Sequence, residues 1–358
     1  MKRSLSLLSL LAAGLAVGCA PGPAPAPVPP PAAPAAPVAP TPTPEPFYAG
    51  KTIRWIVGFA PGGGFDAYTR LIAKHIGRHI PGNPTTIVEN MPGAASLVAA
   101  NHIYKVAKPD GLAVGSFSES IIMDQLLGRE GVEFDFRKFS LLGAADQATL
   151  ACVVRTDRGI KSIAEAVGAA RPLILGTVGT SGFTNDHPKA LQATLGANLQ
   201  LVTGYGGTAQ IALAMEKGEV EGGCWTWESI KSTRRDWLER DFARIVVQQA
   251  PRKAKELAEV PLAEELAKSE GDRQLLRAVA APAAFSKPYA MPPGVPAERV
   301  KVMQTALAAT LKDVEFLAEA EKAKLEVNPV SGEDLKKIVD ELLLMPPDVV
   351  KRLADVLQ

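Results

Sequence analysis

Apolar residues along this chain come in short runs, each closed by glycine and followed by a stretch with helical spacing. The first run, Ile53-Arg54-Trp55-Ile56-Val57, leads into Gly58-Phe59-Ala60-Pro61-Gly62-Gly63-Gly64-Phe65-Asp66. Ala67 to Ile80 then reads as a helix, with Tyr68, Leu71, Ile72 and Ile76 near helical spacing and Asp66 at the N-cap position. Further strands are expected at Thr85–Asn90, Leu112–Phe117, Phe139–Ala144, Leu150–Val154, Leu173–Leu175, Leu199–Val202, Val220–Trp225 and Arg244–Gln248, with a return strand at Leu276–Ala283. Helices are expected between them at Leu97–Val106, Ile121–Leu127, from Asp186 or His187 to Leu195, and at Ala209–Lys217. Four more close the chain at Ala297–Leu311, Val314–Lys324, Ser331–Leu344 and Pro347–Leu357. Strand and helix alternate, which argues for an α/β fold with a parallel or mixed sheet covered on both faces.

The strand-to-helix junctions carry the chemistry. A glycine cluster there lets several unpaired backbone N–H groups approach one ligand, and the positive end of the helix dipole favours an anion. A tight turn would explain one glycine corner, but three consecutive glycines after Pro61 exceed what a turn needs. A phosphate loop would require Lys and Ser or Thr after the last glycine, where Phe65 and Asp66 stand. A dinucleotide fingerprint would require a further glycine where Ala67 stands. Gly176-Thr177-Val178-Gly179-Thr180-Ser181-Gly182-Phe183-Thr184 repeats the pattern with hydroxyls added, and Gly204-Tyr205-Gly206-Gly207-Thr208 repeats it again. Ligands of open α/β sheets sit beyond such strand ends.

Met1 to Ala20 has the form of a targeting segment: Lys2 and Arg3, an apolar run from Leu5 to Val17, and small residues at Ala16-Val17-Gly18-Cys19. That tetrapeptide resembles a lipobox, making residues 1–18 a signal peptide and Cys19 the lipidated first residue of the mature chain. Ala16 stands where lipoboxes usually carry Leu, which leaves plain signal-peptidase cleavage open. Residues 19–46, almost wholly Pro and Ala, read as an extended linker tethering the folded part to a membrane. The 358 residues, 47% hydrophobic and 22% charged, suffice for two ordinary domains. A net charge of +1 without basic blocks argues against nucleic acid as a partner. Cys152 and Cys224 could pair in an oxidising compartment, but nothing in the sequence places them close, and two buried free thiols are the expected reading.

Several motifs in order resemble one family. Phe47-Tyr48-Ala49-Gly50-Lys51-Thr52-Ile53, the first glycine loop, His79-Ile80-Pro81-Gly82-Asn83-Pro84, Asn90-Met91-Pro92-Gly93-Ala94-Ala95-Ser96 and the two later loops are similar to the extracytoplasmic receptors of tripartite tricarboxylate transporters, the Bug or TctC family. The resemblance covers roughly Phe47 to Pro293. It implies an α/β, two-lobed periplasmic-binding-protein (type II-like) fold with a ligand cleft between lobes, which the chain would form as lobe 1 from 47–148 and 276–358 and lobe 2 from 149–275. It implies a small organic carboxylate held by main-chain N–H groups and hydroxyls without a dedicated arginine, and no cofactor or metal. The implied ligand-binding residues are Pro61, Gly62, Gly63, Gly64, Phe65, Asp66, Ser118, Gly179, Thr180, Ser181, Gly182, Gly207, Thr208 and Trp225. The implied partners are the permease subunits of such a transporter, with the receptor acting as a monomer. A lipoprotein that senses a ligand for a signalling partner is the competing reading, and a hydrolase using Ser118, Ser181 or Thr208 is a third.

Other residues bear on specificity. Asp186 beside an anion would be unfavourable unless it caps the helix or faces away. Glu119 and Glu228 either reach the cleft, where they would disfavour further carboxylates and welcome an amine or hydroxyl, or are solvated rim residues. Trp225 and Trp227 alternate along one expected strand and so share a face, as cleft wall or as core. His75 and His79, at i and i+4, read as a solvated helix face rather than a metal pair. No G-x-S-x-G, HExxH or CxxC motif is present, and no enzyme is expected.

Overall fold

The computed structural model describes Gly22 and residues 45–357; the leader, Cys19 and most of the Pro/Ala linker lie outside these residues. Among the described residues the strands are β1 (Thr52–Val57), β2 (Thr85–Asn90), β3 (Ala113–Ser116), β4 (Ser140–Asp146), β5 (Leu150–Arg155), β6 (Leu173–Gly176), β7 (Leu199–Val202), β8 (Gly222–Thr226), β9 (Ala243–Gln249), β10 (Ser286–Met291) and β11 (Val330–Ser331). They form a six-stranded sheet ordered β11-β4-β10-β3-β1-β2 and a five-stranded sheet ordered β7-β6-β8-β5-β9. The glycine loops belong to parallel strands: β1 pairs in parallel with β2 and β3, and β6 with β7 and β8. β10 runs antiparallel between β3 and β4, and β5 antiparallel between β8 and β9.

The chain passes from the first sheet to the second between β4 and β5 and returns between β9 and β10. The two passages are tied together, since the Ala148 N–H donates to the Ala283 carbonyl at 2.9 Å. Glu228 reinforces the first passage by accepting the Thr149 N–H with both carboxylate oxygens, at 3.1 and 3.2 Å.

β1 shows why this part of the sequence is so apolar. Ile53, Trp55, Ile56 and Val57 are all fully buried, because a central parallel strand is covered on both faces. Trp55 meets Tyr289 of β10 edge-on, with ring centroids 5.5 Å apart. The following helix, Gly64–Ile76, buries Tyr68, Ile72 and Ile76, each worth about 1.5–3 kcal/mol of transfer free energy when fully removed from water.

Four expectations need correction. Cys152 and Cys224 are not free thiols; they face each other on antiparallel β5 and β8 and form a disulfide, which follows from a strand order that brings residues 72 apart into register. Leu276–Ala283 is not a strand. Leu275, Leu276, Ala278 and Val279 are the buried side of the helix Glu270–Ala280, capped by Ser269 accepting the Asp272 N–H, and the return strand is β10. Asp66 is not the N-cap: the helix begins at Gly64 behind Gly63, and Asp66 reaches back from the first turn to the Gly62 N–H. Trp227 does not continue β8; the strand ends at Thr226 and Trp227 opens the helix Trp227–Thr233, so the two tryptophans do not alternate on one strand.

The ammonium of Lys287, in β10, lies 3.4 Å from the Asp146 carboxylate at the end of β4, both side chains fully buried. Removing one partner of a buried pair strands the other in low dielectric. Lys287→Met should therefore lower stability by about 3–5 kcal/mol in urea unfolding, and adding Asp146→Asn should recover part of that loss.

Candidate functional site

Three helices at parallel-strand ends are built alike. Gly64–Ile76, Phe183–Leu195 and Thr208–Lys217 have Gly63, Gly182 and Gly207 as N-caps, and none carries a side-chain cap. The first-turn N–H groups of a helix have no acceptor within it, so these ends are left open for a ligand. The acids nearby serve the loops instead: Asp66 accepts the Gly62 N–H at 2.9 Å, and Asp186 accepts the Gly182 N–H at 3.2 Å. Two glycines are sterically required. Gly62 sits at φ +87°, and a Cβ on Gly64 would lie 1.9 Å from the Ser229 hydroxyl.

All three helix starts border one cavity. Its wall comprises Phe59, Gly63, Gly64, Phe65, Ala95, Ser118 and Glu119 from the first-sheet side, and Val178, Gly182, Phe183, Thr184, Thr208, Trp225, Thr226 and Ser229 from the second. It leaves ≈ 50 Å³ for the centres of water-sized atoms, where a single water needs about 10–15 Å³. The wall is aromatic and aliphatic with a few hydroxyls, and contains neither Lys nor Arg. The Ala60 N–H donates to the Gly206 carbonyl at 3.0 Å, joining the first glycine loop to the third.

Of the residues singled out from the sequence, Gly63, Gly64, Phe65, Ser118, Gly182, Thr208 and Trp225 line this cavity. Pro61, Gly62, Gly179, Thr180, Ser181 and Gly207 belong to the glycine loops and Asp66 to the first helical turn, and none of them lines it. The Ser181 hydroxyl donates to Asp124 at 3.1 Å, and the Thr180 carbonyl accepts from Asn185. Phe59, Ala95, Val178, Phe183, Thr184, Thr226 and Ser229 line the cavity without having been foreseen. Phe59, Val178, Phe183 and Thr184 sit inside the quoted glycine motifs and were within reach of the sequence. Ala95 and Ser229 come from other elements, and only the tertiary fold brings them in.

Glu119 and Glu228 are not rim residues: their exposures are 0% and 3%. Burial raises the Glu119 carboxyl above its ordinary value, opposed by the Lys287 charge. One Glu119 oxygen accepts the Lys287 N–H at 3.2 Å, and the other has no partner. Glu228 is pushed up to about 8 by burial and by the nearby Asp146 charge. Asp186 is turned from the cavity by Arg129, which grips both its oxygens at 3.0 Å and also holds Asp124 at 2.7 Å. Trp227 donates its indole N–H to Glu256 rather than facing the ligand space.

The histidine pair is not a solvated face either. His75 is buried edge-on against Phe316, and His79 contacts Asp313 at 2.9 Å. His75, Asp313 and Glu315 bring ligand-type atoms within 4.8 Å of one another. Arg78 already pairs with both of those carboxylates, which supplies the cation there. Among the described residues no helix is long and apolar enough to cross a membrane.

Two sheets joined by two crossings, with a cavity lined by loops of both, define a two-lobed periplasmic-binding-protein architecture. The chain belongs to the family described as tripartite tricarboxylate transporter family receptor, which matches residues 69–354. Its members are receptors rather than enzymes, and periplasmic binding proteins of this kind work outside the cytoplasm. The fold is similar to that of the periplasmic binding protein BugD, with a TM-score of 0.69 and 20% identity over 86% of this chain and 99% of that one. MatC from Rhodopseudomonas palustris with bound malate gives 0.66 and 18% over 86% and 99%. An R. palustris protein with adipate gives 0.67 and 19% over 86% and 98%. A protein encoded in the tcbD-tcbE intergenic region of Pseudomonas sp. (strain P51) is 25% identical over 223 residues, 62% of this chain and 64% of its own length.

The raised Glu228 carboxyl sets a direction for pH dependence. From the ordinary glutamate value of 4.5 up to about 8, the folded state keeps a proton that the unfolded chain has released. Stability therefore falls as pH rises through that window. Denaturation midpoints at pH 5.5 and 8 should differ in that sense in the wild type, and Glu228→Gln should flatten the difference while the amide oxygen still accepts the Thr149 N–H.

Proposed function

We propose that this protein is an extracytoplasmic solute receptor that encloses a small organic carboxylate between two lobes and delivers it to a tripartite tricarboxylate-type secondary transporter. The lobes are 47–148 with 276–358, and 149–275, a two-part division supported by the distribution of the strands between two sheets, although the limit after 275 falls inside the helix Glu270–Ala280. The observation that carries the reading is the convergence of three glycine-capped helix starts on one cavity without a cationic side chain. Oriented N–H groups and dipole ends suit an anion without the cost of burying a counter-charge. Each hydrogen bond to an ionised carboxylate contributes about 1.5–3 kcal/mol, so several are needed to hold one ligand. Relatives with malate and adipate bound agree with an acid of this size. The apolar wall of Phe59, Phe65, Phe183 and Trp225 suits the carbon skeleton.

Lipid on Cys19 and the Pro/Ala linker would keep the receptor at the membrane that holds its permease. Cys19→Ser should release it into the soluble fraction on cell fractionation; a wild type that is already soluble, with its N-terminus elsewhere, ends that part of the reading.

A thermal-shift screen of small carboxylates should find a stabilising ligand, since a concentration 100 times the dissociation constant adds about 2.7 kcal/mol. Gly63→Val should then abolish the shift. Gly63 has φ −90°, so a side chain is conformationally allowed, but its Cβ would stand 2.9 Å from the Thr208 hydroxyl and the branches would fill the anion's place. Binding by Gly63→Val as tight as wild type would move the site elsewhere.

A further inference from the structure

Two side chains that line the cavity hold buried polar atoms with no partner, and the two atoms are of opposite kind. The indole N–H of Trp225 is an unused donor; the free carboxyl oxygen of Glu119 is an unused acceptor whenever the group is ionised. Both residues are essentially withdrawn from solvent, at 4% and 0% exposure. Buried polar groups in folded proteins are almost always satisfied, and each orphan costs free energy until something pairs with it. Neither residue lacks a structural anchor. The other Glu119 oxygen already accepts the Lys287 N–H, which fixes the carboxyl and leaves its partner oxygen as the open valence.

We propose that Glu119 determines specificity in this cavity, and that the ligand is a carboxylate that also carries a hydrogen-bond donor, an ammonium or a hydroxyl, placed against its free oxygen. This rests on the reading of the cavity as the carboxylate site. The acid group takes the helix N–H groups and the Trp225 indole, and the donor takes Glu119. An ammonium beside the free oxygen favours the ionised Glu119 that accepts it, whereas a second carboxylate there sets two acids against each other in a dry pocket and forces one of them to hold a proton. Discrimination of this kind is strong because a mismatched ligand leaves a buried polar group unpaired. The nearest cation does not remove the constraint. The Lys287 ammonium is committed to Asp146 at 3.4 Å and to the Ser286 hydroxyl at 3.1 Å.

Acids matched in the number of methylenes, at two lengths, test this by calorimetry on the full folded protein. One set is glutarate, γ-aminobutyrate, γ-hydroxybutyrate and pentanoate; the other is succinate, β-alanine, β-hydroxypropionate and butyrate. In at least one set the wild type should bind a donor-bearing acid tenfold or more tighter than the matching dicarboxylate. Glu119→Gln should shrink that ratio by at least tenfold for the ammonium probe, while Trp225→Phe should weaken all acids alike and leave the ratio unchanged. Should Glu119→Gln not fold, the wild-type ranking decides alone. Dicarboxylates bound as tightly as the donor-bearing acids in both sets, or a preference that survives Glu119→Gln, overturn the assignment while leaving the receptor function standing. Failure of every acid, the plain monocarboxylates included, overturns that function as well.

Discussion

One ammonium group, that of Lys287, stands among three buried carboxyls, and much of the functional geometry hangs on it. It contacts Asp146 directly and lies over the Tyr68 ring, and its charge opposes the burial that raises both Glu119 and Glu228. A single cation offsets the burial of three acids only in part in a dry interior, so all three carboxyls sit above their ordinary values. Their shifts are thus a consequence of composition, as well as of distance. These acids are not scattered. Asp146 ends the strand leading into the first crossing, Glu228 holds the first residues after it, and Glu119 borders the ligand space. Charge, hinge and cavity are therefore one assembly, and a change in any of them is felt by the others.

What could be read from the sequence was mostly what is local. The glycine clusters at strand-to-helix junctions announced the open helix starts, because the residues that make such a corner lie side by side in the chain. The motif order gave the family, and with it the two-lobed plan. What escaped was non-local. Cys152 and Cys224 pair because β5 lies next to β8, and nothing in either segment states that order. Ser181 looked like a ligand hydroxyl, yet Asp124 lies on another helix and claims it. The return strand was misplaced because the apolar spacing around Leu276 fits a helix, and β10, with Lys287 and Pro288 in its middle, does not look like a central strand. The fate of Glu119 was left open between cleft and rim, since burial of a charged residue depends on a partner 168 positions away.

Family membership and local geometry answer different questions here. Relatives at 18–20% identity share the architecture, and an architecture of this type accommodates many ligands by changing a handful of wall residues. The helix starts on the cavity offer main chain, which substitution scarcely alters apart from the glycines. The rest of the wall is side chain, including Glu119, Trp225 and the phenylalanines. Diversification within such a fold would be expected among those side chains, with the helix starts kept in common.

The Ala60–Gly206 hydrogen bond is small, but it lies where the first and third glycine loops meet. Elsewhere between elements of the two sheets, Lys231 pairs with Glu326, and Arg129 with Asp186. Separating the halves requires these links to part in addition to any contacts that a ligand makes. Where release goes through that separation, residence time is governed by how often the halves part, and two ligands of unequal affinity could be released at similar rates. In the proposed role of a receptor that hands its ligand on, that shifts control of unloading from the cargo to whatever pries the halves apart.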